Sequence, residues 1–258
     1  MDNEVVGLPE SAPPARDPIM QRIVSVLEAC ARTRKPVTVK QLVEATGLAK
    51  STVHRMCWKL EQLGVLDHSQ DGFSIGTKLF TLANANPAVT RIRAAAIPRL
   101  VELQQLAGAS HLAILSGGRA LVVDGLYTTS LRAATLIGVG LPLHCTAVGK
   151  AMLSALELPD RERLLGRSPL PAATSRSIIQ PGLLRSQLDQ ACVQGFAVSQ
   201  EEFQPGVISV AAPFRTAGIV CAVACIGNST DQRVRRAAPR VVTAARSLQS
   251  QLDPELVF

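Results

Sequence analysis

No stretch of this chain approaches the roughly 18 uninterrupted apolar residues of a membrane-spanning helix, and 47% hydrophobic against 18% charged residues is a globular balance. A secretory signal is missing as well. The opening "MDNEVVGLPESAPPARD" is acidic and proline-rich, without the basic flank and apolar centre that such signals carry. A disordered leader over residues 1–17 and a cytoplasmic location are the expectation. Cys30, Cys57, Cys145, Cys192, Cys221 and Cys225 include no CxxC pair and no Cys/His cluster at zinc spacing, so neither a disulfide framework, a metal site nor a cofactor is indicated. Reduced, mostly buried thiols are expected, with Cys221 and Cys225 of "GIVCAVACIG" sharing one face of a strand as packing. Repeats are absent, and so is low complexity beyond the leader.

Acidic residues are scarce in one place. Residues 18–66 hold eight basic side chains against three acidic ones, a denser excess than in the rest of a chain whose net charge is +7. Within "GLAKSTVHRMCWKLEQLGVL" (47–66), no acid precedes Glu61. A helix that only solubilises a surface intersperses its charges. The excess permits nucleic-acid binding without establishing it.

At 258 residues, two domains are expected. Asp17 and Pro18 supply an N-cap and first helical position, and Ile19, Ile23, Val26, Leu27 and Cys30 repeat at helical spacing. Thr38 stands three residues before Gln41, a capping box that starts a second helix at Val39 and carries it to Thr46, with Gly47 for the turn. In the third helix Val53, Met56, Cys57, Leu60 and Leu63 form one buried stripe, which leaves Lys50, Ser51, Thr52, His54, Arg55 and Lys59 on the other faces. "VLDHSQDGFSIG" reads as a hairpin around Asp71-Gly72. Three helices and a hairpin are the order of a winged helix-turn-helix, whose recognition helix enters the major groove N-terminus first. The polar cluster from Lys50 to Arg55 then has a purpose, since these residue types address bases and phosphates.

A helical connector is expected over 77–86, then an amphipathic helix over 91–106 containing Pro98, and strands at "HLAILS", "ALVVDGLY" and "LRAATLIGVG". "LPLHCTAVGKAMLSAL" reads as a loop entering a helix. Helices "LPDRERLLG" and "PGLLRSQLDQACVQG", strands "FAVSQ", "VISVAAPF" and "IVCAVACIG", and one long helix from Asp231 to Leu252 complete an α+β sensor-like sheet.

From about residue 18 onward the chain resembles the IclR family of bacterial transcription regulators. "GLAKSTVHRMCWKLEQLGVL" is similar to that family's recognition helix, "GFSIGTKLFTLA" to its wing and linker, and "VGLPLHCTAVGKAML" and "GFAVSQEEFQPGVISVAAPF" to its effector-domain signatures. The resemblance implies an N-terminal winged helix-turn-helix (18–76), a linker helix (77–90) and a C-terminal GAF-like α/β effector-binding domain (91–258). It also implies dimers or dimers of dimers on palindromic double-stranded operator DNA near catabolic or stress genes, with no enzymatic activity. By position in the resembling motifs, the effector pocket is lined by Leu141, Ala147, Val148, Ser199, Val207, Ser209, Ala224 and Ile226. Relatives that take small oxo-acids tend to place an acid at Ser199, a cysteine at Ser209 and serines at Ala224 and Ile226. The aliphatic pair here points to an aromatic or otherwise hydrophobic carboxylate, its polar end held by Ser199, Ser209 and the backbone N–H groups of Ala147 and Val148.

Other readings compete with this one. Trp58 is expected to pack on the linker helix or a neighbouring subunit rather than to touch bases. "TAVGKA" fails as a phosphate loop, because Gly140 lies too far upstream of Gly149 and Ala151 replaces the hydroxyl residue. His144-Cys145 allows a nucleophilic cysteine near a helix N-terminus, although adjacent side chains seldom face each other. A sensor acting through protein contacts alone is the remaining alternative.

Overall fold

The computed structural model describes residues 18–33, 35–128, 137–166 and 170–253. The leader, the Asp17 cap and most of the strand expected over 131–140 lie outside these residues. The chain divides into two compact units, one ending at Pro87 and one starting at Ala88.

In the first unit α1 (Pro18–Thr33), α2 (Val39–Thr46) and α3 (Lys50–Gln62) precede β1 (Leu66–Ser69), β2 (Gly72–Ile75) and α4 (Thr77–Asn84). The capping box forms as spaced: the Gln41 N–H donates to Thr38 Oγ1 at 3.3 Å and the Thr38 N–H to Gln41 Oε1 at 2.9 Å. Gly47 ends α2 in the left-handed region at φ 68°. Val53, Cys57 and Leu60 enter a core with Val26, Cys30, Leu42, Leu66 and Phe73, and Met56 packs at its margin. Leu63 departs from the expected stripe. It stands just past the end of α3 and is 59% exposed, because the chain turns away through Gly64.

The hairpin tip is Gln70-Asp71 rather than Asp71-Gly72. Gly72 already pairs with Ser69, and a Cβ there would lie 2.5 Å from the Val37 carbonyl oxygen. Val37 itself bridges Phe73 in both directions, at 2.7 and 2.9 Å, and so adds a third, one-residue rung to the wing.

The second unit is one antiparallel sheet in the order β5 (Gly140–Leu141), β4 (Arg119–Tyr127), β3 (Ala109–Ser116), β8 (Ile219–Asn228), β7 (Val207–Thr216), β6 (Ala197–Gln200). Its central strands are apolar at nearly every position because both faces are covered. The faces differ in size. On one, Leu112, Ile114, Ile208, Val210, Phe214 and Val223 meet α5 (Pro87–Ala107), α9 (Gln232–Arg236) and α10 (Ala238–Leu252). On the other, Ala109, Ala113, Ala211, Ala222 and Ala224 lie with the residues of α6 (Ala147–Ser154), α7 (Leu158–Leu165) and α8 (Pro181–Gln194). Cys221 and Cys225 share the first face as packing residues, and burial raises their thiols to about 12 and about 11.

Two helix expectations need correction. The helix expected from Arg91 begins at Pro87, where a first-turn proline needs no N–H, and it runs on through Pro98. The single helix expected over 231–252 is two. Asp231 caps α9 by accepting from the Arg233 N–H, and the chain then breaks at Ala237 because Pro239 cannot donate in the first turn of α10.

Candidate functional site

In the first unit α3 presents Lys50, Ser51, His54, Arg55 and Lys59 as exposed side chains, with Thr52 half-buried. Lys50, Arg55 and Lys59 enter none of the ion pairs found among the described residues. The helix start adds a feature that side-chain type alone did not suggest. Its N-cap is Ala49, which offers no side-chain acceptor, so the first-turn N–H groups of Lys50 and Ser51 remain available for an external oxygen such as a phosphate.

His54 is differently engaged. Its Nε2 accepts a 3.0 Å hydrogen bond from Trp58 Nε1, which fixes the tautomer and leaves Nδ1–H as the group that can face outward. Trp58 meets aromatic rings of the wing. Its ring lies 4.7 Å from that of His68 and 5.5 Å, edge-on, from that of Phe73, both on the wing strands. These contacts join α3 to the hairpin, a role the sequence did not suggest.

The second unit holds a concavity of about 420 Å³ including its open mouth, between α6 and the alanine-rich sheet face. Of the eight residues expected around the pocket, Leu141, Ala147, Val148, Ser199, Val207, Ser209 and Ile226 line it. Ala224 does not. It is fully buried in the sheet between Ala211 and His111, and the side chain reaching the cavity there is His111. Thr146, Phe203 and Gln204 complete the wall. The sequence pattern placed His111 in a strand but could not say which face it takes.

Cross-strand register lays out the floor. One row runs Ser199, Ser209, Ile226, Ala109, and the next runs Ala197, Ala211, Ala224, His111, Gly125. Above it, Thr146 caps α6, its Oγ1 accepting from the Gly149 N–H at 3.2 Å and donating to the Pro142 carbonyl at 2.6 Å. The N–H groups of Ala147 and Val148 are the first two of the helix and have no intrahelical acceptor. Ser199 Oγ donates to the Cys145 carbonyl at 2.9 Å, which ties β6 to the entrance of α6. Its proton is thereby committed, and toward a ligand Ser199 can only accept.

Gly149 and Lys150 show why "TAVGKA" is not a phosphate loop. A Cβ on Gly149 would lie 2.4 Å from the Leu143 backbone, so this glycine serves close packing. Lys150 points away to Glu202 at 2.6 Å and to Gln187 at 3.0 Å, in a buried pair that the sequence did not reveal. Burial pushes the lysine down and the glutamate up, against their mutual attraction. Cys145 is fully buried and its thiol is raised to about 12, first by burial and then by the Glu202 charge, the reverse of an activated nucleophile. His144 bonds the Pro171 carbonyl through Nε2 at 2.8 Å, and burial lowers its basicity.

Among the described residues no helix is long and apolar enough to cross a membrane, and no group of three or more His, Cys, Asp or Glu could hold a metal ion. Residues 20–69 match the IclR helix-turn-helix domain, and residues 87–253 match the C-terminal domain of bacterial transcriptional regulator IclR. An HTH-type transcriptional regulator of Mycobacterium tuberculosis is 33% identical over 68% of each chain. The Pca regulon regulatory protein of Pseudomonas putida is 28% identical over 90% of this chain and 83% of its own. An IclR homolog from Microbacterium hydrocarbonoxydans, solved in complex with 4-hydroxybenzoate, superposes with a TM-score of 0.80 at 24% identity, covering 92% of this chain and all of that one. With both family domains matched along the chain and the helix-turn-helix and wing in place, the chain belongs to the IclR family of DNA-binding bacterial transcriptional regulators.

Proposed function

We propose that residues 18–76 hold operator DNA through Lys50, Ser51, Thr52, His54, Arg55 and Lys59, that residues 77–90 act as linker, and that residues 91–258 control this binding through a ligand in the α6 cavity. The chain acts as a homo-oligomer on two half-sites and as a regulator rather than an enzyme, in keeping with the protonated, buried Cys145. The ligand is an aromatic or otherwise hydrophobic carboxylate. The observation that carries this is the cavity's polarity. Two unpaired N–H groups and the positive end of a helix dipole stand at one place, while Leu141, Val207 and Ile226 supply an aliphatic wall. A small oxo-acid would leave its oxygens without donors against that wall. The relatives named for the Pca regulon and solved with 4-hydroxybenzoate support an aromatic catabolic acid.

Fluorescence anisotropy with DNA from upstream of the chain's own coding sequence tests both halves. Arg55→Ala should keep the wild-type circular dichroism and lose about 1 to 3 kcal/mol of specific binding. Benzoate-type acids, and not glyoxylate or pyruvate, should change wild-type affinity. An Arg55→Ala protein that binds as wild type overturns the DNA assignment, and a response to the oxo-acids alone overturns the ligand class.

A further inference from the structure

His111 is the buried polar side chain of the cavity that has no hydrogen-bonding partner among the described residues. It is 4% exposed, and neither Nδ1 nor Nε2 is met. Two unsatisfied buried nitrogens are costly in a native interior unless something else meets them. The surrounding strands are built to admit the ring. Its register partners are Gly125 and Ala224, and a Cβ on Gly125 would lie 3.1 Å from His111 Cβ.

We propose that His111 is the specificity-determining residue of the cavity, and that it selects an effector carrying a hydroxyl group at the end opposite its carboxylate. The proposal rests on the cavity being the effector site. Position argues first. Ser199 ties the entrance of α6 to β6, whereas His111 stands on β3. Strands lie about 4.8 Å apart, so these backbones are roughly 14 Å from each other across β7 and β8. A ligand anchored at the α6 N-terminus and reaching His111 therefore has polar groups at two ends and an apolar body over Ile226 and Val207.

Chemistry argues second. A neutral imidazole offers one donor and one acceptor, and a hydroxyl can donate or accept, so it meets whichever nitrogen faces it in either tautomer. A second carboxylate only accepts, so it can engage the ring in one tautomer alone, and only an imidazolium, which burial disfavours, would offset its charge. A methyl group would leave the ring unmet.

Titration calorimetry on the full chain, with benzoate, the three monohydroxybenzoates and the matching methylbenzoates, tests this. At least one hydroxybenzoate should bind about tenfold or more tightly than its methyl counterpart. His111→Leu should erase that preference while still binding benzoate, and His111→Asn, which keeps a donor and an acceptor, should retain part of it. Circular dichroism and melting of each variant establish folding, and should His111→Leu fail to fold, His111→Phe takes its place. Equal wild-type affinity for hydroxyl and methyl ligands overturns the role of His111 and leaves the cavity reading standing, as does a preference that survives in His111→Leu. Binding of none of these acids by the wild type overturns the cavity reading and this inference together.

Discussion

Burial decides what His111 can be at a given pH. Desolvation lowers its pKa from 6.5 to about 4, so between those values the unfolded chain binds a proton that the folded chain refuses. The stability that depends on a neutral His111 is complete above about 6.5, declines as the pH falls toward 4, and changes no further below. Urea melts at pH 7 and pH 5 should show the wild type losing on the order of 1 to 2 kcal/mol more than His111→Phe over that interval. Equal losses would mean that the ring is solvated. The residue's importance could not be read from "HLAILS", because a strand pattern gives alternation without saying which face meets a cavity. Trp58 was opaque for a related reason, since its partners His68 and Phe73 lie across a hairpin whose pairing must be known first. Lys50, Arg55 and Lys59 were legible, because helical periodicity alone turns them outward.

Local signals sufficed wherever an element is closed by its own neighbours. The box between Thr38 and Gln41 and the left-handed Gly47 fixed α2 to the residue. They failed where two elements press on each other: nothing local marks the approach of the Leu143 backbone to Gly149, and Pro239 was masked by the apolar periodicity on either side of it. Gly149→Ala tests the first of these. The added methyl would start 2.4 Å from Leu143 Cα and must push the 143–146 loop off α6. A loss of about 1 to 3 kcal/mol in urea unfolding is expected, with weaker ligand binding because the Ala147 and Val148 N–H groups move with the loop. Unchanged stability would show the contact to be looser than drawn. The same helix entrance holds seven of the eight residues proposed for the pocket near one another, and the eighth, Ala224, was displaced by its taller neighbour in the same row.

At the scale of the molecule, the positive excess is densest over residues 18–66, with eight basic side chains against three acidic ones, and none of the three cations on α3 is neutralised by an ion pair among the described residues. Operator affinity should therefore fall linearly with salt on logarithmic axes, with a slope of about −0.9 for each phosphate contacted, and Lys59→Ala should reduce that slope by about one if Lys59 meets a phosphate. Anisotropy titrations between low and moderate salt measure it, and a flat profile would remove α3 from the interface. The tryptophan splint between α3 and the wing bears on how sequences are told apart. Trp58 bonds His54 and meets Phe73 edge-on and His68 at a tilt, and His68 in turn meets Phe73, so the rings tie the helix to the hairpin. With α3 and the wing both in the unit proposed above to hold operator DNA, a paired helix and hairpin would leave misfit with a duplex to fall on the DNA, and sites whose base steps bend cheaply would gain an advantage at positions no side chain touches.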